Sequence, residues 1–296
     1  MYDGKQVRIY YHCFLPEDKT WVFTIADQFN MLKWSGLLDV VDYFPVFVGG
    51  SKEQIDLFKQ FTFMFPKMTI FKDMVVDTTN ENIRTGLHNH TDSENIFSEK
   101  KTMHQIWLDS QEKDFYFLYL QTKSVTSFAL NIESDIKDVQ KFSFDFAARK
   151  LMEENNINRW KECIDKLEKY NMVGCFLAED RCNIFDSSLY QSPKNETDKK
   201  NYQLDNRQYL PRGYRGNIFW SKSSHIRKLN SIMDNAWWDN EKSKNTYPIP
   251  DRWIAEVWPT SYDDGIENYF SFKEERLEKS FKINLSDENI CNANYI

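Results

Sequence analysis

Glycine and proline are scarce in this 296-residue chain, at 9 and 8 residues. Collagen-like, linker-rich and low-complexity architectures depend on those residues and are thereby excluded. Cysteine is also thin. The five copies, Cys13, Cys163, Cys175, Cys182 and Cys291, are scattered, odd in number and nowhere spaced CxxC. Neither a structural zinc site nor a disulfide framework is expected from them. They read as reduced thiols that pack as small apolar residues. No run approaches the roughly 18 apolar residues of a membrane helix, and residues 1–6 show no apolar leader, so a cytoplasmic protein is expected. Positive charge is in deficit as well: 38 Lys and Arg stand against 45 Asp and Glu, a formal net charge of −7. A broad nucleic-acid footprint needs the opposite balance, although one local basic pocket for a small anion is compatible with it. Three phosphate or hydrolase motifs are missing too. Without GxxxxGKS/T, GxGxxG or GxSxG, a P-loop, a dinucleotide fingerprint and a nucleophile elbow have no support. His88-Asn-His90 has no third ligand at a recognisable spacing and reads as a polar loop.

What the chain has in abundance is aromatic surface: 23 Phe, 15 Tyr and 9 Trp. That excludes disorder, since such surface offsets the entropy of ordering the chain. The first half alternates strand and helix signals. Val7–Tyr11 is a β-prone run, and Trp21, Ile25, Phe29, Leu32 and Gly36 recur at helical spacing. Val40–Val48 reads as a strand closed by a turn at Gly49-Gly50, Gln54–Phe61 as a helix, and Met68–Val76 as a strand. After the polar stretch Asp77–Ser98, Lys101–Asp109 reads as helix and Asp114–Leu120 as a strand with almost no polar face. A continuously apolar strand between helices belongs in a sheet covered on both faces. The predicted fold is therefore α/β, an open and mostly parallel sheet flanked by helices.

The second half is less regular. Phe144–Tyr170 reads as helix, Met172–Leu177 as strand, Ser187–Asn206 as a polar loop, and Ser223–Met233 as helix. Pro248–Trp258 opens another helix, and the charged tail from Phe270 reads as helix before an irregular end. No repeat or linker divides the chain, so a single domain over 1–296 is expected.

In an open α/β sheet, ligands collect outside the carboxyl ends of the strands, at the switch point. His12 and Cys13, Gly49-Gly50, and Gln121-Thr-Lys-Ser124 follow the predicted strands. Lys123 is a candidate phosphate ligand there. A second block, Pro211–Leu229, holds a basic aromatic turn between Gly213 and Gly216, where glycine lets backbone approach a ligand. A third, Pro250–Trp258, places Arg252 and Glu256 at i, i+4 on one helix face, with Trp253 and Trp258 beside them.

These blocks, in this order, resemble the GT-A type glycosyltransferase-like proteins of bacteria and large DNA viruses. Members have an apolar strand ending in HTKG, a WRxC…VG helix–strand unit, a GNFWW…S.YIRKL block and a final RxxxExW block. The matching pieces are Tyr119-Leu-Gln-Thr-Lys-Ser124, Arg159-Trp-Lys-Glu-Cys163 with Val173-Gly174, Gly216–Leu229, and Arg252-Trp-Ile-Ala-Glu-Val-Trp258. Tyr10-Tyr-His12 and Glu99-Lys-Lys-Thr-Met103 also resemble family positions. The likeness spans roughly residues 7–260. Gln121 and Ser124 depart from the family His and Gly.

The resemblance implies a GT-A fold and transfer of a glycosyl unit from a nucleoside diphosphate sugar, UDP favoured, to a hydroxyl of a glycan or glycoprotein acceptor. It implies a nucleotide-sugar half over 7–125, an acceptor half over 140–265 and a tail over 266–296. Tyr11, His12 and Phe14 would lie near the base, and Glu99 and Thr102 near ribose or base. Thr122, Lys123, Arg212 and Arg215 would face the diphosphate. Asn217, Trp220, Arg252 and Trp253 would hold acceptor or sugar. Glu256, with Asp251 second, would take the acceptor proton in an inverting reaction. No DxD follows Phe115–Leu120, and neither Gln121 nor Lys123 suits a hard cation. Cationic side chains would then replace the metal at the leaving diphosphate. Mn²⁺ or Mg²⁺ on Asp135, Asp138, Asp263 or Asp264 is the alternative. A catalytically degenerate sugar- or nucleotide-binding protein of the same fold is the second reading. A sugar-nucleotide pyrophosphorylase is disfavoured by the missing Gly-rich loop. If the source is a virus, the protein is expected in host cytoplasm.

Overall fold

Strand β1 (Gln6–Leu15) alternates its side chains between two cores. Val7, Ile9, Tyr11, Cys13 and Leu15 enter one apolar cluster, and Tyr10 enters the other. The computed structural model describes residues 2, 4–17, 19, 21–63, 65–76, 99–122, 147–175, 177–178, 213–214, 217–234, 236–237, 239, 254–261 and 268–272. Within them α1 (Trp21–Trp34), α2 (Leu37–Val40), β2 (Phe44–Gly50), α3 (Lys52–Thr62) and β3 (Met68–Val75) follow β1. Next come α4 (Glu99–Glu112), β4 (Phe115–Gln121), a helical stretch over 147–153 that continues into the π-turn Glu154–Asn158, and α5 (Trp160–Leu167). The rest are β5 (Met172–Cys175), β6 (Leu177–Ala178), β7 (Gly213–Tyr214), β8 (Phe219–Lys222), α6 (Ser223–Ile226), α7 (Ile254–Val257) and β9 (Tyr269–Phe272).

Seven strands form one sheet in the order β3-β2-β1-β4-β8-β5-β9, and β6 and β7 make a separate ribbon. Within the seven-stranded sheet β8 runs antiparallel to both β4 and β5, while the other pairings are parallel; β6 and β7 are antiparallel. The expected mixed, mostly parallel sheet flanked by helices is therefore what the chain forms. Trp21, Ile25, Phe29 and Leu32 of α1, with Ile55 and Phe58 of α3 and Trp160, Cys163 and Ile164 of α5, cover one face. Met103 and Ile106 of α4, Ile226 of α6 and Ile254 of α7 cover the other. No helix among the described residues is long and apolar enough to cross a membrane. Cys13, Cys163 and Cys175 are buried thiols.

Four sequence expectations are corrected. Gly49 and Gly50 are not a turn but the last two residues of β2, and Gly50 pairs with Leu15 and Val75. The strand expected from Val40 begins only at Phe44, because Gly36 (φ 75°) starts α2. The helix expected over Ser223–Met233 stops at Ile226 and gives way to turns. Phe270 does not open a helix; it sits in β9, parallel to β5 at the sheet edge.

Gly174 shows why the Val-Gly pair is built as it is. A Cβ there would fall 2.7 Å from Tyr214 Cδ1 and 2.9 Å from its Cε1. The Tyr214 ring cannot step aside, since it is buried and its hydroxyl donates to Phe270 O at 2.8 Å. Gly174→Ala is expected to lose about 1–3 kcal/mol by overpacking, read as a lowered midpoint in urea unfolding. An unchanged midpoint would show that the ring yields.

Candidate functional site at the switch point

The sheet reverses its direction of growth at β1: β2 and β3 lie on one side, β4 on the other. The crevice rule places a ligand outside the carboxyl ends of β1 and β4. Thr122 stitches those two ends together. Its Oγ1 accepts from Phe14 N at 2.9 Å and lies 3.2 Å from Phe14 O, and its N–H donates to His12 O at 3.1 Å. Lys123, the next residue, lies outside the described residues.

Period-2 alternation then sorts the base-side candidates. His12 and Tyr11 are neighbours and therefore face opposite layers. The His12 Nδ1 lies 2.9 Å from Thr102 Oγ1 on α4, and its ring meets Phe47 edge-on at 5.4 Å. Tyr11 points into the α1 layer, where its hydroxyl donates to Gln28 Oε1 and its ring packs on Phe29 and Phe44. Tyr11 is completely buried, so it is a core residue and not a base contact. That corrects the grouping of Tyr11 with His12 and Phe14.

Burial holds the His12 imidazole at about 3, far below its ordinary 6.5. A histidine with a lowered folded pKa stabilises the fold fully above its unfolded value, and that contribution is lost as pH falls below about 6.5 toward 3. Between pH 6.5 and 5.5 wild type is expected to lose about 1 kcal/mol that His12→Gln retains. Parallel slopes for the two proteins in denaturant midpoints against pH would refute this.

Helix α4 brings a second pair to the same edge. Glu99 and Thr102 are one turn apart and share a face. Glu99 Oε2 accepts from the Tyr119 hydroxyl at 2.9 Å and from Asn217 Nδ2 at 2.5 Å. Tyr119 lies two residues before the end of β4, and Asn217 lies just before β8. The structure thus gathers His12, Phe14, Glu99, Thr102, Thr122 and Asn217 around one end of the sheet. Asn217 stands apart from Trp220, with which the sequence reading grouped it.

Trp220 is fully buried and its indole N–H donates to Asn156 O at 2.7 Å. It fills the α1/α5 core and offers no face to a sugar, which corrects its assignment. Trp258 is likewise buried, with its N–H on Asn230 O at 2.8 Å. Arg212, Arg215, Asp251, Arg252 and Trp253 lie outside the described residues. So do the metal candidates Asp135, Asp138, Asp263 and Asp264, and the His88–His90 pair. Glu256 falls within the backbone of α7. Among the described residues no group of three or more His, Cys, Asp or Glu side chains is placed to hold a metal ion.

A buried polar network under the end of β4 was missed from sequence. Gln28 Nε2 donates to Gln121 O at 3.1 Å and to Glu153 Oε1 at 2.8 Å. Arg149 Nε lies 3.4 Å from Glu153 Oε1, and Arg149 also donates to Thr24 Oγ1. Lys150 reaches Asp27 and Glu153. Burial pushes the Glu153 carboxyl up, and Arg149 and Lys150 pull it back. The network ties α1 and the 147–153 helix to the backbone carbonyl that precedes Thr122. An Arg–Glu i, i+4 pair ordinarily reads as a solvated helix face, so no sequence signal marked it.

No family model and no curated protein sequence matches this chain significantly. Two solved structures are similar in chain course. Mouse xyloside xylosyltransferase 1, apo form, matches over 90% of this chain and 85% of its own, at 9% identity and a TM-score of 0.36. The 4-diphosphocytidyl-2C-methyl-D-erythritol synthase of Anaerococcus prevotii DSM 20548 matches over 99% of this chain and 96% of its own, at 13% identity and a TM-score of 0.34. Likeness at this level says nothing about activity, which rests on the residues themselves.

Proposed function

We infer that the chain is a glycosyltransferase that moves a sugar from a nucleoside diphosphate sugar, UDP-linked in preference, to a hydroxyl of a glycan acceptor. The observation that supports this reading best is the convergence at the switch point. His12, Thr102, Thr122, Glu99 and Asn217 come from four separate segments that the sequence likeness had already singled out. They meet where an open sheet takes a ligand. A set of neutral donors and acceptors with one carboxylate suits the hydroxyl-rich body of such a donor. In this reading Lys123, Arg212 and Arg215 neutralise the leaving diphosphate, Glu256 accepts the acceptor proton with Asp251 as the second candidate, and no metal ion is required.

The test is release of UDP or GDP from a panel of UDP- and GDP-sugars, with and without sugar acceptors, in the presence and absence of EDTA. Turnover that persists in EDTA and is lost in Glu256→Gln is expected. Complete loss in EDTA would assign the diphosphate to a metal ion. Full turnover by Glu256→Gln would remove Glu256 as the base. Tight binding of UDP with no turnover under any acceptor would favour the binding protein of the same fold.

A further inference from the structure

Asn217 sits just before β8, on the far side of β4 from β1, β2 and β3. It is completely buried and adopts a left-handed backbone, with φ of 54°. Such a conformation is strained for a non-glycine residue, least so for Asn. The side chain is held by its bond to Glu99.

Chemistry sets which way the amide points. Glu99 Oε2 already accepts the Tyr119 hydroxyl proton, so it can accept from an amide but has nothing to donate to one. The Asn217 NH₂ group must therefore face Glu99, as it does, and Oδ1 must face away. That oxygen is buried and has no hydrogen-bond partner among the described residues. A buried acceptor left unmet forfeits the hydrogen bonds it made to water. A ligand group that donates a hydrogen bond would recover this, and a phosphate, which only accepts, would not.

We propose that Asn217 Oδ1, oriented by Glu99 and Tyr119, accepts a hydrogen bond from a hydroxyl of the donor sugar. Residue 217 then selects the donor rather than the acceptor. A pyrimidine N–H is the competing donor. On the proposed reading the base lies by His12 and Phe14 of β1, and Asn217 enters from beyond β4; paired titrations with UDP and a sugar nucleotide decide between the two. Toward Asn217, Glu99 and Tyr119 act as positioning residues, since their bonds set which way its amide points.

This proposal rests on the nucleotide-sugar reading, and calorimetry on the full chain separates the two. Wild type is titrated with UDP and with UDP-glucose, UDP-galactose, UDP-N-acetylglucosamine and UDP-xylose. Asn217→Gly is then titrated with UDP and the tightest sugar nucleotide; glycine accepts the same φ, so the backbone keeps its course. The expected result is about a tenfold loss for the sugar nucleotide, corresponding to about 1.4 kcal/mol, with UDP affinity held within about twofold. Tyr119→Phe, which loosens Glu99, is expected to give a smaller loss of the same selectivity. Equal loss for UDP and the sugar nucleotide would place the contact on the nucleoside and overturn the proposal. An unaltered Asn217→Gly would overturn it as well. Failure of wild type to bind any of the five nucleotides would instead overturn the nucleotide-sugar reading itself.

Discussion

Trp220→Ala is expected to lower folding stability by about 3–5 kcal/mol and to leave the UDP affinity of the folded protein unchanged. The indole is fully buried between the sheet and the α1/α5 layer. Its removal opens a cavity and also strips Asn156 O of the N–H that it accepts at 2.7 Å. Trp220→Phe keeps most of the volume and loses only the N–H, so a smaller drop is expected, about 1–2 kcal/mol. Chemical unfolding of both variants measures this, and UDP titration gives the second readout. A sugar platform would behave in the opposite way, with stability near wild type and weakened sugar-nucleotide binding. That outcome would restore Trp220 to the site.

Glu153→Leu is the second change with a large expected effect. Side-chain exposure is 2% for Arg149 and 0% for Glu153. The change takes a carboxylate partner from buried Arg149, and breaking a buried pair typically costs about 3–5 kcal/mol. Gln28 would lose an acceptor in the same step. The double replacement Arg149→Met with Glu153→Leu is expected to recover most of that loss, because two apolar side chains of similar volume can substitute for a buried ion pair. A double-mutant cycle in urea reads the coupling directly. Glu153→Leu within about 1 kcal/mol of wild type would mean that another carboxylate, such as Asp27 released from Lys150, neutralises Arg149.

The legible parts of the fold were its longer buried runs. The β-prone run Val7–Tyr11 and the apolar run Asp114–Leu120 fall on strands buried on both faces, Gln6–Leu15 and Phe115–Gln121. Strand β8 was not legible. Its four residues, Phe219–Lys222, lie between Gly216 and the start of α6, where the strand runs straight into a helix with no turn residue between them to mark its end. Nor was β9 at the far edge of the sheet, Tyr269–Phe272, whose short aromatic run was overruled by the charges that follow it. At the site, motif order pointed to Glu99, Thr102, Thr122 and Asn217 without revealing that Asn217 bonds Glu99 across the sheet. Tyr11 was misassigned although the rule that separates it from His12 needs only its position in the strand. The Arg149–Glu153 pair was invisible for another reason: burial of a helix face is decided by what packs on it, not by the helix itself.

The reversed strand between β4 and β5 also bears on how the chain is made. β4 is complete once residue 121 has been synthesised, but its outer partner β8 begins only at Phe219. At about 5–20 residues per second, that interval lasts roughly 5–20 s. Throughout it, the apolar run FYFLYLQ would stand as an open sheet edge, the kind of template that recruits other chains. Nascent chains stalled between residues 121 and 219 are therefore expected to aggregate more readily than the finished chain.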